Sequence, residues 1–186
     1  MRPTVLLLHA FPLDHRMWEE QAAALAGAGW PVAAPDVPGD WPGASFAGWA
    51  EHALALVDGP IVPVGLSMGG YLAFELWRRA PERIEALVLC DTRPGPEPPE
   101  GRAARDETIR LVRERGVAAV ARAMLQRALA PGASPAAAER FRELVLAQDA
   151  GRVVRAIEAI RDRPTTATCC RRSTGRCSSP AASRTR

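Results

Sequence analysis

The chain has 186 residues, 47% hydrophobic and 24% charged, which predicts one ordinary domain and excludes a disordered or membrane-embedded chain. All 24 basic residues are arginine, yet the net charge of +3 is unevenly spread: Thr165 to Arg186 holds five Arg and no acid. Removing that +5 leaves −2 for residues 1–164, so the basic balance belongs to a tail and does not imply nucleic-acid binding. No apolar run approaches the roughly 20 residues of a spanning helix. The short run Val5–Leu8 lacks the length and cleavage site of a signal peptide, so a cytoplasmic protein without membrane attachment is expected.

In chain order, Val5–Leu8 predicts a buried strand, and His15–Ala26 a helix stopped by Gly27 and Gly29. Pro31–Ala34 predicts a weak second strand, followed by a turn-rich loop through Gly43. Ser45 is placed to cap a helix running to Val57. Ile61–Val64 predicts a third strand, Met68–Ala80 a helix ending before Pro81, and Ile84–Cys90 a fourth strand, with Cys90 a buried thiol. This alternation implies an α/β fold, a parallel sheet with helices on both faces. Pro63 in a central strand predicts a local irregularity, because proline cannot donate to the ladder. Past the linker at 93–99 only helices are expected: Ala103–Arg115, Val117–Ala130, Pro135–Gln148 with Ser134 as its cap, and Arg152–Arg161. The mixed Arg and acidic residues of these helices read most simply as a solvated face.

One motif carries chemistry. Gly65-Leu66-Ser67-Met68-Gly69-Gly70 stands between an apolar strand and a helix, the context in which G-x-S-x-G exposes a serine on a sharp turn. Glycines two residues to either side avoid the clashes that side chains would make there. The plainer alternative is that Ser67 merely caps the helix. His9-Ala10-Phe11-Pro12 leaves the first strand at the same, carboxyl end of the sheet, where parallel sheets place their crevice. An oxyanion needs two backbone donors, and Met68 and Phe11 fit; Pro12 has no N–H, and His9 is expected to brace the loop. Trp18, Trp41 and Met68 are candidates to line an apolar substrate pocket beside Phe11, although aromatic residues are more often simple packing. No ligand spacing suggests a metal or another cofactor; Cys169, Cys170 and Cys177 match no zinc or redox pattern.

The runs Leu7-Leu8-His9-Ala10-Phe11-Pro12-Leu13-Asp14, Met17-Trp18, Gly65–Gly70 and Leu87–Thr92 resemble the α/β-hydrolase fold family, closest to its small esterase, lactonase and enol-lactone hydrolase branch. The resemblance implies a hydrolase core over 1–93 and a helical cap over 94–164. It implies Ser67 as nucleophile and small esters, lactones or thioesters as substrates. The family orders its triad serine, acid, histidine. Here His9, His15 and His52 all precede Ser67, and Asp91 is the candidate acid only in a variant arrangement. Without a base the chain is expected to be nearly or wholly inactive. A non-catalytic binding module of the same fold is the alternative reading.

Residues 165–186 contain no Val, Ile, Leu, Met or aromatic residue. Read one base earlier with G/C-rich codons, Cys169–Arg186 becomes Leu-Leu-Pro-Thr-Ile-Asp-Gly-Pro-Val-Leu-Val-Ala-Gly-Gly-Glu-Gln-Asp-Ala, a strand and an acidic turn. A frame change near Pro164 and a non-native, disordered tail are therefore expected, leaving the fold incomplete at its C-terminus. An apolar sheet edge left uncovered would favour self-association.

Overall fold

The computed structural model describes residues 2–37 and 44–165. Four strands form one parallel sheet: β1 (Thr4–Leu8), β2 (Val32–Ala33), β3 (Ile61–Leu66) and β4 (Val88–Cys90), in the order β2-β1-β3-β4. Between them run α1 (Glu19–Gly27), α2 (Phe46–Ala55) and α3 (Met68–Arg79), followed by α4 (Pro99–Arg115), α5 (Val117–Ala128), α6 (Pro135–Leu146) and α7 (Ala150–Asp162). The expected α/β class and parallel sheet are present, and the helical stretch after the linker is four helices long.

Strand periodicity divides the core. Leu6 and Leu8 of β1 point to one face with Trp49, Leu72, Leu76 and Ile157; Val5 and Leu7 point to the other with Trp18, Leu25 and Val32. The helical segment shares the first of these cores, since Ile109 and Val112 of α4, Val120 of α5 and Val153, Ile157 and Ile160 of α7 join it. The last three recur at helical spacing, so one stripe of α7 is buried along its length.

Local signals set the boundaries. Ser45 accepts from the Gly48 N–H and Ser134 from the Ala137 N–H, both as helix caps. The first predicted helix instead begins as a 3-10 turn over His15–Trp18, capped by Asp14, before α1 starts. Pro63 pairs in register with Leu6 on the β1 side, but on the β4 side pairing lapses. Ile61 bridges Ile84 and Val64 pairs with Val88, so four steps on one strand oppose three on the other. The irregularity expected at Pro63 is this bulge, and it shortens the predicted fourth strand to Val88–Cys90. Cys90 is exposed rather than buried, because among the described residues β4 is an edge strand paired only with β3.

Candidate active site

The chain passes from β3 to α3 through Ser67 alone, which takes φ 53° and ψ −108°. For a non-glycine residue this is a costly conformation, held by its surroundings. The Ser67 N–H donates to the Cys90 carbonyl at 2.9 Å, and the Ser67 carbonyl accepts from the Gly70 N–H at 3.0 Å and the Thr92 hydroxyl at 2.9 Å. Each neighbouring glycine is required by a different contact. A Cβ on Gly65 would lie 2.4 Å from the Gly69 backbone, one on Gly69 2.0 Å from the Leu8 carbonyl oxygen, and one on Gly70 2.5 Å from the Thr92 side chain. Unlike Ser45 and Ser134, Ser67 makes no side-chain cap bond, so its hydroxyl is not spent on the helix.

The β1 exit loop packs against this turn. His9 is 1% exposed; its Nε2 accepts from the Val37 N–H at 2.8 Å, and its Nδ1 faces the Ala10 carbonyl at 3.0 Å. With Nε2 accepting, the proton resides on Nδ1 and the ring is neutral. Burial above all pushes its pKa down, and the Arg152 charge adds to this against the opposing Ala10 carbonyl, Asp36 and Asp14. His9 thus ties the exit of β1 to the exit of β2, and its basic lone pair is already occupied.

Beside it, Asp14 is buried yet ionised. Burial opposes its charge, but bonds from Arg16 and Gln148 outweigh that and bring its pKa to about 2. His15 pairs with Asp36 at 2.8 Å. Asp14, His15 and Asp36 lie close enough to share a cation, but Arg16 and Gln148 hold the Asp14 oxygens, and His15 binds Asp36 through ring and backbone.

Phe11 and Met68 come together, both lining a narrow hollow of about 10 Å³, room for one water, with His9, Val37, Gln148 and Arg152. Among the described residues neither the Phe11 nor the Met68 N–H has a protein acceptor. Asp91 follows β4 at φ 44°, exposed, between the two residues that bind the Ser67 backbone. Trp18 is not at the hollow: it packs with Val5 and Leu7 on the other face of the sheet, as core. Trp41 lies outside the described residues, as do 166–186. Sequence reasoning missed Thr92, whose role depends on β4 meeting the turn, and Gln148 and Arg152, which reach the hollow only because α6 and α7 fold back over the β1 exit.

Comparison with known proteins agrees with this geometry. Residues 5–184 match the model of the α/β hydrolase family. The chain is 33% identical over 97 residues to a pimeloyl-[acyl-carrier protein] methyl ester esterase of Aromatoleum aromaticum, covering 50% of this chain and 38% of that protein. It is 36% identical over 96 residues to lipase LipV of Mycobacterium tuberculosis, covering 47% and 36%. A malate-bound thermophilic esterase from Thermogutta terrifontis superposes with a TM-score of 0.79 at 33% identity, covering 88% of this chain and 65% of that one. The chain thus spans less than two fifths of these two curated relatives.

Proposed function

This chain belongs to the α/β hydrolase family, and from that premise we propose that it carries the acyl-accepting machinery of a serine hydrolase for small carboxylic esters, lactones or thioesters. Ser67 Oγ attacks the carbonyl carbon, the Phe11 and Met68 N–H groups stabilise the oxyanion, and the alcohol or thiol leaves with a proton, giving an acyl-enzyme. One observation carries the reading: Ser67 is held in a strained turn with its hydroxyl withheld from capping. The esterase and lipase relatives support the same class of substrate.

No histidine follows Ser67 in these 186 residues, and the His9 lone pair is engaged by Val37. Asp91, which follows the residue whose carbonyl binds the Ser67 N–H, is the acid we place beside the turn. Loss of a triad base costs on the order of 10⁶-fold in turnover. The chain should be acylated by strongly activated reagents without steady-state hydrolysis. Incubation with a fluorophosphonate, followed by intact and peptide mass spectrometry, should find one adduct, on Ser67, absent from Ser67→Ala. Hydrolysis of 4-nitrophenyl acetate should not exceed that of the alanine variant. An adduct on another residue in place of Ser67 would remove the nucleophile assignment. Saturable ester binding without any adduct would favour the non-catalytic binding module instead.

A further inference from the structure

Among the described residues only two other than glycine have positive φ, Ser67 at 53° and Asp91 at 44°. The residues on either side of the second hold the first. The Ser67 N–H donates to the Cys90 carbonyl at 2.9 Å, and the Thr92 hydroxyl donates to the Ser67 carbonyl at 2.9 Å. β3 and β4 pair in register up to Leu66 and Cys90, so Ser67 and Asp91 stand at the next step of the ladder. In a regular parallel ladder the Thr92 backbone N–H would bind the Ser67 carbonyl; here its side-chain hydroxyl does so. The Gly70 N–H makes a second bond to the same carbonyl at 3.0 Å. Gly70 also leaves the space that Thr92 fills, since a Cβ there would lie 2.5 Å from the threonine side chain.

We propose that Thr92 is a positioning residue, one that aims the Met68 N–H at the oxyanion. The Ser67 carbonyl and the Met68 N–H belong to one planar trans peptide group and point in opposite directions. A bond that fixes the carbonyl therefore fixes the N–H as well. Ser67 has a costly backbone conformation, and rotation of this peptide is the simplest way to relieve it. The Thr92 hydroxyl opposes that rotation from outside the helix, where Gly70 opposes it from within. The same bond polarises the peptide and makes the Met68 N–H a stronger donor. Thr92 acts through Met68 and not on the reacting atoms. The inference rests on the reading of Ser67 as nucleophile, with the Met68 N–H facing the charge that develops on the carbonyl oxygen.

Two variants of the full chain separate the hydroxyl from the shape of the side chain. Thr92→Val keeps the shape and loses the hydroxyl, whereas Thr92→Ser keeps the hydroxyl and loses the methyl. Two signals are read on each: the rate at which a fluorophosphonate labels Ser67, and the Met68 amide proton in a proton–nitrogen NMR spectrum. Thr92→Val should be labelled about five-fold more slowly than the wild type, the rate equivalent of one ordinary hydrogen bond. Its Met68 amide proton should move upfield, because the peptide is less polarised. Thr92→Ser should stay near the wild type in both signals; a packing role would instead spare the valine variant and penalise the serine. Circular dichroism checks the fold, and if Thr92→Val misfolds, Thr92→Ala is set against Thr92→Ser, since those two differ only by the hydroxyl. Equal labelling of the wild type and Thr92→Val, equal slowing in Thr92→Ser, or an unmoved Met68 amide would overturn the inference. A label on another residue removes the nucleophile reading, and the amide signal still reports on Thr92. If nothing is labelled, the amide alone decides: a shift in the valine variant that the serine variant lacks supports the positioning, and no shift overturns it.

Discussion

At the scale of single residues, the turn at Ser67 is a problem of close approach. The backbone of Gly69 lies against the Leu8 carbonyl of the central strand β1, and neither partner can retreat, since Leu8 is fully buried and paired with Gly65 of β3. Gly69→Ala should therefore cost about 2–3 kcal/mol, the upper range for overpacking. Gly27, at the end of α1 with nothing near its absent Cβ, provides the contrast. There alanine should be neutral or stabilising by up to about 1 kcal/mol. Urea denaturation of the two variants checks this, and equal midpoints would mean that the strand and turn shift apart without penalty.

At the scale of elements, β4 is the exposed member of the sheet. Val88 and Leu89 are 43% and 39% exposed, and Cys90 is also open, on a strand paired only with β3 among the described residues. An apolar edge with unpaired N–H and C=O groups is a template for another strand. Self-association through β4 is the proposal that follows. The wild type should grow in mass with concentration in sedimentation or light-scattering measurements, and Val88→Thr with Leu89→Thr should reduce that growth while keeping strand propensity. Unchanged mass in the double variant would move the contact elsewhere.

At the scale of the whole molecule, a hydrogen bond and a cation–π contact join the helical segment to the α/β core, and a buried ion pair ties its two ends together. Gln148, just past α6, donates to Asp14 in the β1 exit loop at 2.7 Å. Arg163, just past α7, binds Glu97 before α4 and lies 4.0 Å over the Tyr71 ring of α3. Burial disfavours the Glu97 charge, but Arg163, Arg105 and Arg93 outweigh it and hold its pKa below the usual range. For Asp14 the pKa falls from 3.8 to about 2. Its ionised form therefore stabilises the fold above about pH 4 by about 2 kcal/mol, and that contribution fades as pH drops towards 2. Asp14→Asn should be less stable than the wild type by a constant amount above about pH 5, and the gap should close between about pH 4 and 2. Chemical denaturation across that range measures the gap, and a gap that persists at pH 2 would assign the effect to packing rather than charge.

Much of this was legible in the residues alone. Alternating strand and helix periods implied the parallel α/β sheet, and Ser45 and Ser134 marked their helix starts through the N–H groups they would satisfy. The glycines of the Ser67 turn announced a backbone conformation that side chains oppose. Such signals are local: each depends on neighbours a few positions away. What the tertiary structure decided depends on residues distant in sequence. Trp18 belongs to the far face of the sheet because strand alternation sends Val5 and Leu7 there. Cys90 is exposed because β4 lies at an edge, and Thr92 matters because β4 meets the turn beside β3. Arg152, which reads as one more solvated arginine in the sequence, reaches the hollow because α7 buries its apolar stripe against the sheet core and carries its first turn over the β1 exit. Local chemistry determines which groups a chain can present, but the packing of non-local elements decides which of them face one another.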